Sequence, residues 1–149
     1  MKLSTQEVYG LRCILRIAQA GEGAGITIPE ISEKEGISKA YTAKILRILR
    51  LNNLIISERG KHGGYVLADM PEKIPVSRVV NALGGKLYES DFCRKYHPEN
   101  NHVCDPLDTC TIRDLWFSVQ HAVDEILNGV TLQDIINYTI TMPGTTTKK

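Results

Sequence analysis

Several features that would indicate other classes of protein are missing from these 149 residues. No apolar run approaches the roughly 20 residues that a membrane-spanning helix needs, so we expect no membrane association. The first residues, MKLSTQEVYG, lack the apolar segment and cleavage site of an export signal, so we expect a cytoplasmic protein. There is no phosphate-binding loop, nucleophile elbow or paired-histidine helix, and we therefore expect no enzymatic activity. The four cysteines include no pair at the close spacing that is typical of zinc sites.

The net charge of +1 conceals an uneven distribution of charge. Residues 1–80 carry twelve lysines and arginines against eight acids, whereas residues 81–149 carry six against nine. Within residues 38–65 there are six basic residues and a single acid, Glu58. A local basic stripe on a nearly neutral chain is typical of a protein that binds nucleic acid. The same charges could also form an ordinary solvated helix face.

The first third of the chain has the pattern of a helix-turn-helix. A capping box at Ser4 precedes apolar residues at the i, i+3, i+4 spacing of a first helix. Pro29 suits the first turn of a short second helix, which Gly36 ends. Ser38 caps a third helix that we expect to extend to about Asn52. Two helices joined by Gly-Ile-Ser form a tight turn of the kind found in DNA-binding motifs.

A β-hairpin with a basic tip follows the third helix. Residues 54–57 and 65–67 are predicted to be its strands. The polar turn between them contains three glycines and the basic residues Arg59, Lys61 and His62. An ordinary hairpin loop is the alternative, but it would not explain why the tip, residues 59–64, carries three basic side chains and no acid. We therefore predict a wing, the element that lies along the duplex beside a recognition helix.

This arrangement predicts which residues contact DNA. The N-terminal part of the third helix enters the major groove in a helix-turn-helix protein, and the wing reaches the minor groove or the backbone. Tyr41 and Thr42 are expected at base edges or thymine methyl groups, whereas Lys39 and Lys44 are expected at phosphates. The predicted contact residues are Ser38, Lys39, Ala40, Tyr41, Thr42, Lys44, Arg59, Lys61 and His62.

A long helix is predicted over residues 111–127, with seven large apolar side chains that need a surface to cover them. Packing back on the first helix could cover some of them. A second copy of the chain is the more economical partner, and a symmetric dimer matches the two half-sites of a palindromic operator. A last short helix begins at Thr131, and we expect the tail over residues 141–149 to be disordered.

Three of the cysteines lie close together between the hairpin and the long helix. Cys93, Cys104 and Cys110 occupy an 18-residue polar stretch, whereas the fourth cysteine lies in the first helix and is predicted to be a core residue. In an intracellular chain, clustered cysteines indicate metal or redox chemistry rather than structural disulfides. Thiolates suit both zinc and iron–sulfur clusters. A zinc site would need a fourth ligand, which His97 or His102 could supply.

Particular stretches of this sequence are similar to those of a known family. They are Met1-Lys-Leu-Ser4, Ile31-Ser-Glu-Lys-Glu-Gly-Ile-Ser38 and Arg59-Gly-Lys-His-Gly-Gly-Tyr65, and the similarity extends through the helix of Trp116 and the turn Gly129-Val-Thr-Leu132. Together they resemble the Rrf2 family of bacterial winged-helix regulators, whose members include IscR-type and NsrR-type iron–sulfur regulators. The resemblance implies a dimer crossed at the long C-terminal helices and an iron–sulfur cluster on Cys93, Cys104 and Cys110.

The chain departs from the cluster-binding members at the fourth ligand. IscR-type members have a histidine three residues after the last cysteine, where this chain has Arg113. NsrR-type members use a carboxylate near the start of the first helix, at the position of Val8. The remaining candidates are Glu7, His97, His102 and Asp105. The first gap, of ten residues, is longer than in IscR-type members, and either a [2Fe–2S] or a [4Fe–4S] cluster remains compatible with the sequence.

The predicted fold is mainly α with a small β-hairpin. It comprises a winged helix-turn-helix domain over residues 1–85, a cysteine-containing cluster-binding loop over 86–110, dimerisation helices over 111–140 and the tail over 141–149. The predicted function is DNA-binding transcriptional regulation that senses redox, iron or nitric oxide status through the cluster. The alternative keeps the DNA-binding dimer but replaces the cluster with a thiol switch or a zinc site.

Overall fold

The computed structural model describes residues 3–21, 24–60, 63–86 and 111–140, without the side chain of Thr111. Residues 87–110 of the predicted cysteine-containing loop and the predicted disordered tail lie outside the described residues. In chain order the elements are α1 (Thr5–Gln19), α2 (Ile28–Glu35), α3 (Lys39–Leu51), β1 (Ile55–Glu58), β2 (Gly64–Leu67), a 3-10 turn (Pro71–Lys73), α4 (Val76–Ala82), α5 (Thr111–Asn128) and α6 (Leu132–Ile136). The predicted fold class, mainly helical with one small antiparallel hairpin, is confirmed.

Local capping determines where several helices begin. The backbone N–H of Ser4 donates to the Glu7 carboxylate at 2.8 Å, and the Ser4 hydroxyl accepts from the Glu7 N–H in return. At the start of α2, the hydroxyl and backbone N–H of Thr27 both donate to Glu30 and hold the pKa of that carboxyl below its usual range. The bonds at Ser4 are reciprocal, and in both places a carboxylate satisfies a backbone donor that the start of the helix leaves without a partner.

A single hydrophobic core unites α1, α2, α3, β1 and α4. Its fully buried members include Ile14, Ile31, Ile45, Leu46, Leu49, Leu54, Ile74 and Val79. Cys13 is also fully buried among them, and burial raises the pKa of its thiol to about 12. Its interpretation as a core residue is therefore confirmed, and its thiol stays protonated at neutral pH.

The hairpin is attached to the helical core by a short pairing outside the two strands. β1 and β2 are antiparallel, with Ile55 opposite Leu67 and Glu58 opposite Gly64. Ile26 exchanges two backbone hydrogen bonds with Tyr65, of 3.1 and 2.8 Å. A Cβ atom at Gly64 would lie 2.8 Å from the backbone of Ile26. Glycine is therefore the residue that allows the second strand to approach the segment before α2.

The end of the described chain returns to the same core. Leu132 is fully buried, and its N–H donates to the Ile74 carbonyl at 3.0 Å. The N–H of Val76 donates to the Val130 carbonyl at 2.8 Å. The predicted division into segments did not anticipate this contact, because it assigned Leu132 to the dimerisation helices. None of the helices in the described ranges has both the length and the apolar composition of a membrane span.

Candidate nucleic-acid interface

The surface of α3 carries most of the predicted contact residues. Ser38, Lys39, Ala40 and Lys44 are all exposed. The Ser38 hydroxyl accepts the N–H of Tyr41 at 3.2 Å, so the same residue caps the helix and lies at its exposed tip. The helix therefore presents a short, basic surface that begins immediately after the turn.

Tyr41 lies at the edge of this surface. Its side chain is half-buried, and its ring meets the Tyr9 ring of α1 edge to face, with centroids 6.2 Å apart and planes at 89°. This geometry is one of the preferred arrangements of an aromatic pair. Tyr41 is consequently held by α1 while part of it stays accessible beside Lys44.

The prediction that Thr42 contacts a base is wrong. Thr42 is fully buried, and its hydroxyl donates to the Ser38 carbonyl at 3.0 Å. It shares a helix face with the core residues Ile45, Leu46 and Leu49, at the spacing i, i+3, i+4, i+7. The same spacing is present in the sequence, and applied to Thr42 it predicts a buried position.

Arg47 is an exposed basic residue that the predicted contact set omitted. It follows Ala40 by seven residues and Lys44 by three, so the three side chains share one face of α3. Ala43, on the same face, is half-buried. Small residues beside basic ones let a helix backbone approach a groove closely. This face could have been found by applying helical periodicity to the polar residues as well as to the apolar ones.

The structure describes the wing except for two residues at its tip. Arg59 and Gly60 are exposed, whereas Lys61 and His62 lie outside the described residues. The N–H of Gly63 donates to the Gly60 carbonyl at 2.9 Å and closes the turn. A Cβ atom at Gly63 would lie 2.8 Å from the carbonyl oxygen of Glu58, so this tight turn requires glycine.

Most of the predicted metal ligands lie outside the described residues. These are Cys93, Cys104, Cys110, His97, His102 and Asp105. Glu7 is described: one carboxylate oxygen accepts the Ser4 N–H, and the other would lie 3.1 Å from a Cβ atom at Gly85. Glu7 is thus beside the chain shortly before the cysteine-containing segment. Within the described ranges, no group of three or more potential ligands could hold a metal ion.

A helix-turn-helix followed by an antiparallel hairpin with an exposed arginine defines a winged-helix protein of the DNA-binding class. The chain belongs to the Rrf2 family, because the family model described as "Iron-dependent Transcriptional regulator" matches residues 3–138. The predicted family is therefore confirmed. The chain is a transcriptional regulator of a DNA-binding family and not an enzyme, as the sequence predicted.

Relatives with established names support this assignment. Protein rrf2 of Nitratidesulfovibrio vulgaris is 38% identical, and the alignment covers 91% of this chain and 87% of that protein. The transcriptional regulator CymR of Bacillus subtilis is 30% identical, with 93% and 92% covered. Among solved structures, T. potens IscR superposes with a TM-score of 0.73 at 25% identity, covering all of this chain and 94% of the other.

Proposed function

We propose that the chain binds a palindromic double-stranded DNA site as a homodimer, with α3 in the major groove and the wing against the minor groove or backbone. The observation that carries this proposal is the exposed basic surface formed on α3 by Lys39, Lys44 and Arg47. Arg59 extends the same sign of charge to the wing. Lysine and arginine side chains on a recognition helix and its wing neutralise DNA phosphates and position the helix for base contacts.

The contact residues divide by chemistry. The basic side chains bind phosphates or the minor groove; they are Lys39, Lys44 and Arg47 on α3 and Arg59, Lys61 and His62 on the wing. Ser38, Ala40 and Tyr41 lie at the tip of α3, where hydroxyl groups and small apolar side chains meet base edges and thymine methyl groups. We exclude Thr42 because it is buried.

The apolar side chains of α5 support the homodimer. Those exposed in the single chain on one stripe are Ile112 (65%), Leu115 (59%), Trp116 (44%) and Ile126 (36%). The half-buried Val119 and Val123 continue the same stripe. A contiguous apolar stripe on a long helix favours association with another protein surface. The same stripe on a second copy can cover it, and the two copies are then related by a two-fold axis.

We further propose that Cys93, Cys104 and Cys110 hold an iron–sulfur cluster, with Glu7, His97, His102 or Asp105 as the fourth ligand. Three thiolates satisfy three of the four terminal positions of a cluster, and the family description as iron-dependent agrees with this donor set. When bound, the cluster would supply a centre that reacts with oxidants or nitric oxide.

The ends of the cysteine-containing segment support a route from the cluster to DNA binding. Before it, the Gln6 side chain donates to the Leu83 carbonyl at 2.8 Å, and a side chain at Gly10 would collide with Leu83. The end of α4 is therefore fitted tightly to α1. After it, α5 begins at once. A change in the segment therefore acts on α4 and α5 together and alters the spacing of the two recognition helices in the dimer. This requires that the cluster binds more strongly to one spacing than to the other.

Anaerobic purification with iron, sulfide and zinc analysis tests the cofactor. We expect brown protein that contains iron and sulfide, and we expect alanine at Cys93, Cys104 or Cys110 to bleach the visible spectrum. Cys13→Ala is the matched control and should keep the colour, because this thiol is buried in the core and stays protonated. Wild-type protein without iron or sulfide after reconstitution would contradict the cluster.

A zinc site or a thiol switch on the same cysteines is the second candidate. The similarity to a solved structure described as the oxidized form of Staphylococcus aureus CymR, with a TM-score of 0.69 at 27% identity, favours the switch. Colourless protein that contains zinc would indicate the zinc site. Metal-free protein whose DNA affinity changes on thiol oxidation would indicate the switch.

A further inference from the structure

One buried carboxylate links the end of α2 to two arginines of α1. The side chain of Glu35 is only 2% exposed. One of its oxygens accepts the Arg12 Nε–H at 2.6 Å, and the other accepts the Arg16 Nε–H at 2.7 Å. A buried carboxylate needs such partners, since an unpaired buried charge is strongly unfavourable. The helix that precedes the DNA-binding turn is thereby fixed to α1 at its last residue.

The two arginines differ in a second contact. The Arg12 guanidinium lies over the Tyr9 ring, 5.2 Å from its centroid, in the geometry of a cation–π interaction. Tyr9 in turn meets Tyr41 edge to face. Within the part of the chain that the structure describes, Arg16 has no ring contact of this kind, and its other partner is Gln19 on its own helix. A continuous set of contacts therefore extends from Glu35 through Arg12 and Tyr9 to Tyr41.

We infer that Arg12 is a positioning residue for DNA recognition: anchored on Glu35, it holds Tyr9, and Tyr9 holds Tyr41 in the orientation that meets the base edges. The inference rests on the proposed function, since it assumes that Tyr41 contacts DNA. It also assigns Arg12 a role distinct from that of the exposed basic residues on α3. Those neutralise phosphates, whereas Arg12 acts through the recognition helix.

The net charge of the group formed by Glu35, Arg12 and Arg16 suggests a competing role for Arg12, which is direct binding of a DNA phosphate. Two arginines share one carboxylate, which leaves one positive charge, and the Arg12 side chain is 48% exposed. Such a charge could bind a phosphate directly. The two roles differ in what they change: a phosphate contact alters the salt dependence of binding equally on all DNA sequences, whereas a positioned tyrosine alters the preference for one sequence.

The test compares Arg12→Gln with Arg16→Gln in the full chain. Both variants remove one guanidinium from Glu35 and the same charge, so each is the matched control of the other. The affinity of each variant is measured for a DNA site that the wild-type chain selects from random sequence and for unrelated DNA of equal length, over a range of salt concentrations. The specificity ratio is the affinity for the selected site divided by the affinity for the unrelated DNA. We expect Arg12→Gln to lower the specificity ratio by about tenfold and Arg16→Gln by less than about twofold, with unchanged salt slopes.

A mutant cycle with Tyr41→Leu isolates the connection. This change keeps an apolar side chain but removes the ring that Tyr9 contacts. In the Tyr41→Leu background we expect Arg12→Gln to lower specificity by less than about twofold, because the residue it positions is gone. Additive losses would overturn the inference, as would equal specificity ratios for the two glutamine variants. A salt slope reduced by about one in Arg12→Gln, with equal losses on both DNAs, would assign Arg12 to a phosphate instead.

A second variant keeps the inference testable if Arg12→Gln does not fold, which thermal unfolding would reveal. Tyr9→Leu leaves the Glu35 ion pairs in place and removes the ring between Arg12 and Tyr41, so the same tenfold loss of specificity is expected, and an unchanged ratio would reject the inference. A wild-type chain that selects no DNA site would reject the proposed function together with the inference. Selection by the wild type with no effect of Tyr9→Leu would reject the inference alone.

Discussion

Thr42 and Arg47 lie five residues apart on α3 and face opposite environments. Thr42 is buried with the leucines and isoleucines of the core, and Arg47 is exposed beside Lys44. Burial of the threonine hydroxyl is tolerated because it donates to the carbonyl of Ser38, one helical turn earlier. Helical periodicity therefore decides the role of each residue more reliably than its polarity does.

Arg47→Ala should weaken DNA binding on all sequences and lower the salt slope by about one per subunit, because one phosphate contact is lost. The matched control on the buried face is Thr42→Val, which keeps the shape and replaces the hydroxyl with a methyl group. It should leave affinity within about twofold and lower the free energy of unfolding by roughly 1 kcal/mol. Fluorescence anisotropy with operator DNA, over a range of salt, measures the affinity and the salt slope, and urea denaturation measures the free energy of unfolding. A normal salt slope in Arg47→Ala would remove this residue from the DNA surface.

At the scale of elements, capping and terminating residues predicted the helices, whereas pairings between segments distant in the chain were not predicted from the sequence. The capping residues Ser4 and Ser38 and the terminating Gly36 locate three helix boundaries to within a residue or two, since capping depends on neighbours in the chain. The pairing of Ile26 with Tyr65 was not predicted. It depends on two segments that only the folded core brings together, and a single residue between turns has no strand pattern of its own.

Gly64→Ala should separate this pairing, because the added Cβ would meet the Ile26 backbone at 2.8 Å. We expect the free energy of unfolding to fall by about 1–3 kcal/mol, as for other overpacked sites. The amide protons of Ile26 and Tyr65 should exchange faster with solvent. Urea denaturation and hydrogen exchange measure the two effects.

The control for this change is Gly129→Ala, where the nearest atom to the added Cβ lies at an ordinary 3.5 Å. Its effect on stability should stay within about 0.5 kcal/mol. Equal stability of the two variants would mean that the hairpin moves aside freely and that Gly64 does not hold it against the segment before α2.

At the scale of the whole molecule, the proposed dimer depends on α5. The sequence predicted one apolar stripe on this helix, and the structure divides it into half-buried and exposed parts. Val119 and Val123 are half-buried within one chain, so changing them would also disturb the fold. The strongly exposed Leu115 therefore offers the cleaner test of association.

Leu115→Asp should raise the dimer dissociation constant by about 100-fold or more, because it would bury an unpaired charge between two copies. Analytical ultracentrifugation should then detect monomer, and binding to a palindromic site should be lost while the circular dichroism spectrum stays that of a folded helical chain. The unfolding temperature should fall only as far as the lost association requires. His121→Asp introduces the same side chain six residues later on the opposite half of the helix, and it should stay dimeric. A dimeric Leu115→Asp protein would locate the interface elsewhere.

The burial of Leu132 affects how the protein matures during synthesis. The core around Ile74 and Leu83 is completed only when Leu132 is available, and that residue follows the whole of α5 in the chain. A nascent polypeptide that ends before residue 132 lacks one of the buried side chains that complete the core of its DNA-binding domain. Because domains fold as units as they leave the ribosome, the DNA-binding domain becomes complete only after α5 has been made. Prematurely terminated chains would therefore be poor competitors for operator sites, since they lack a finished core. Those that end before residue 111 would also lack the helix on which we propose that the dimer forms.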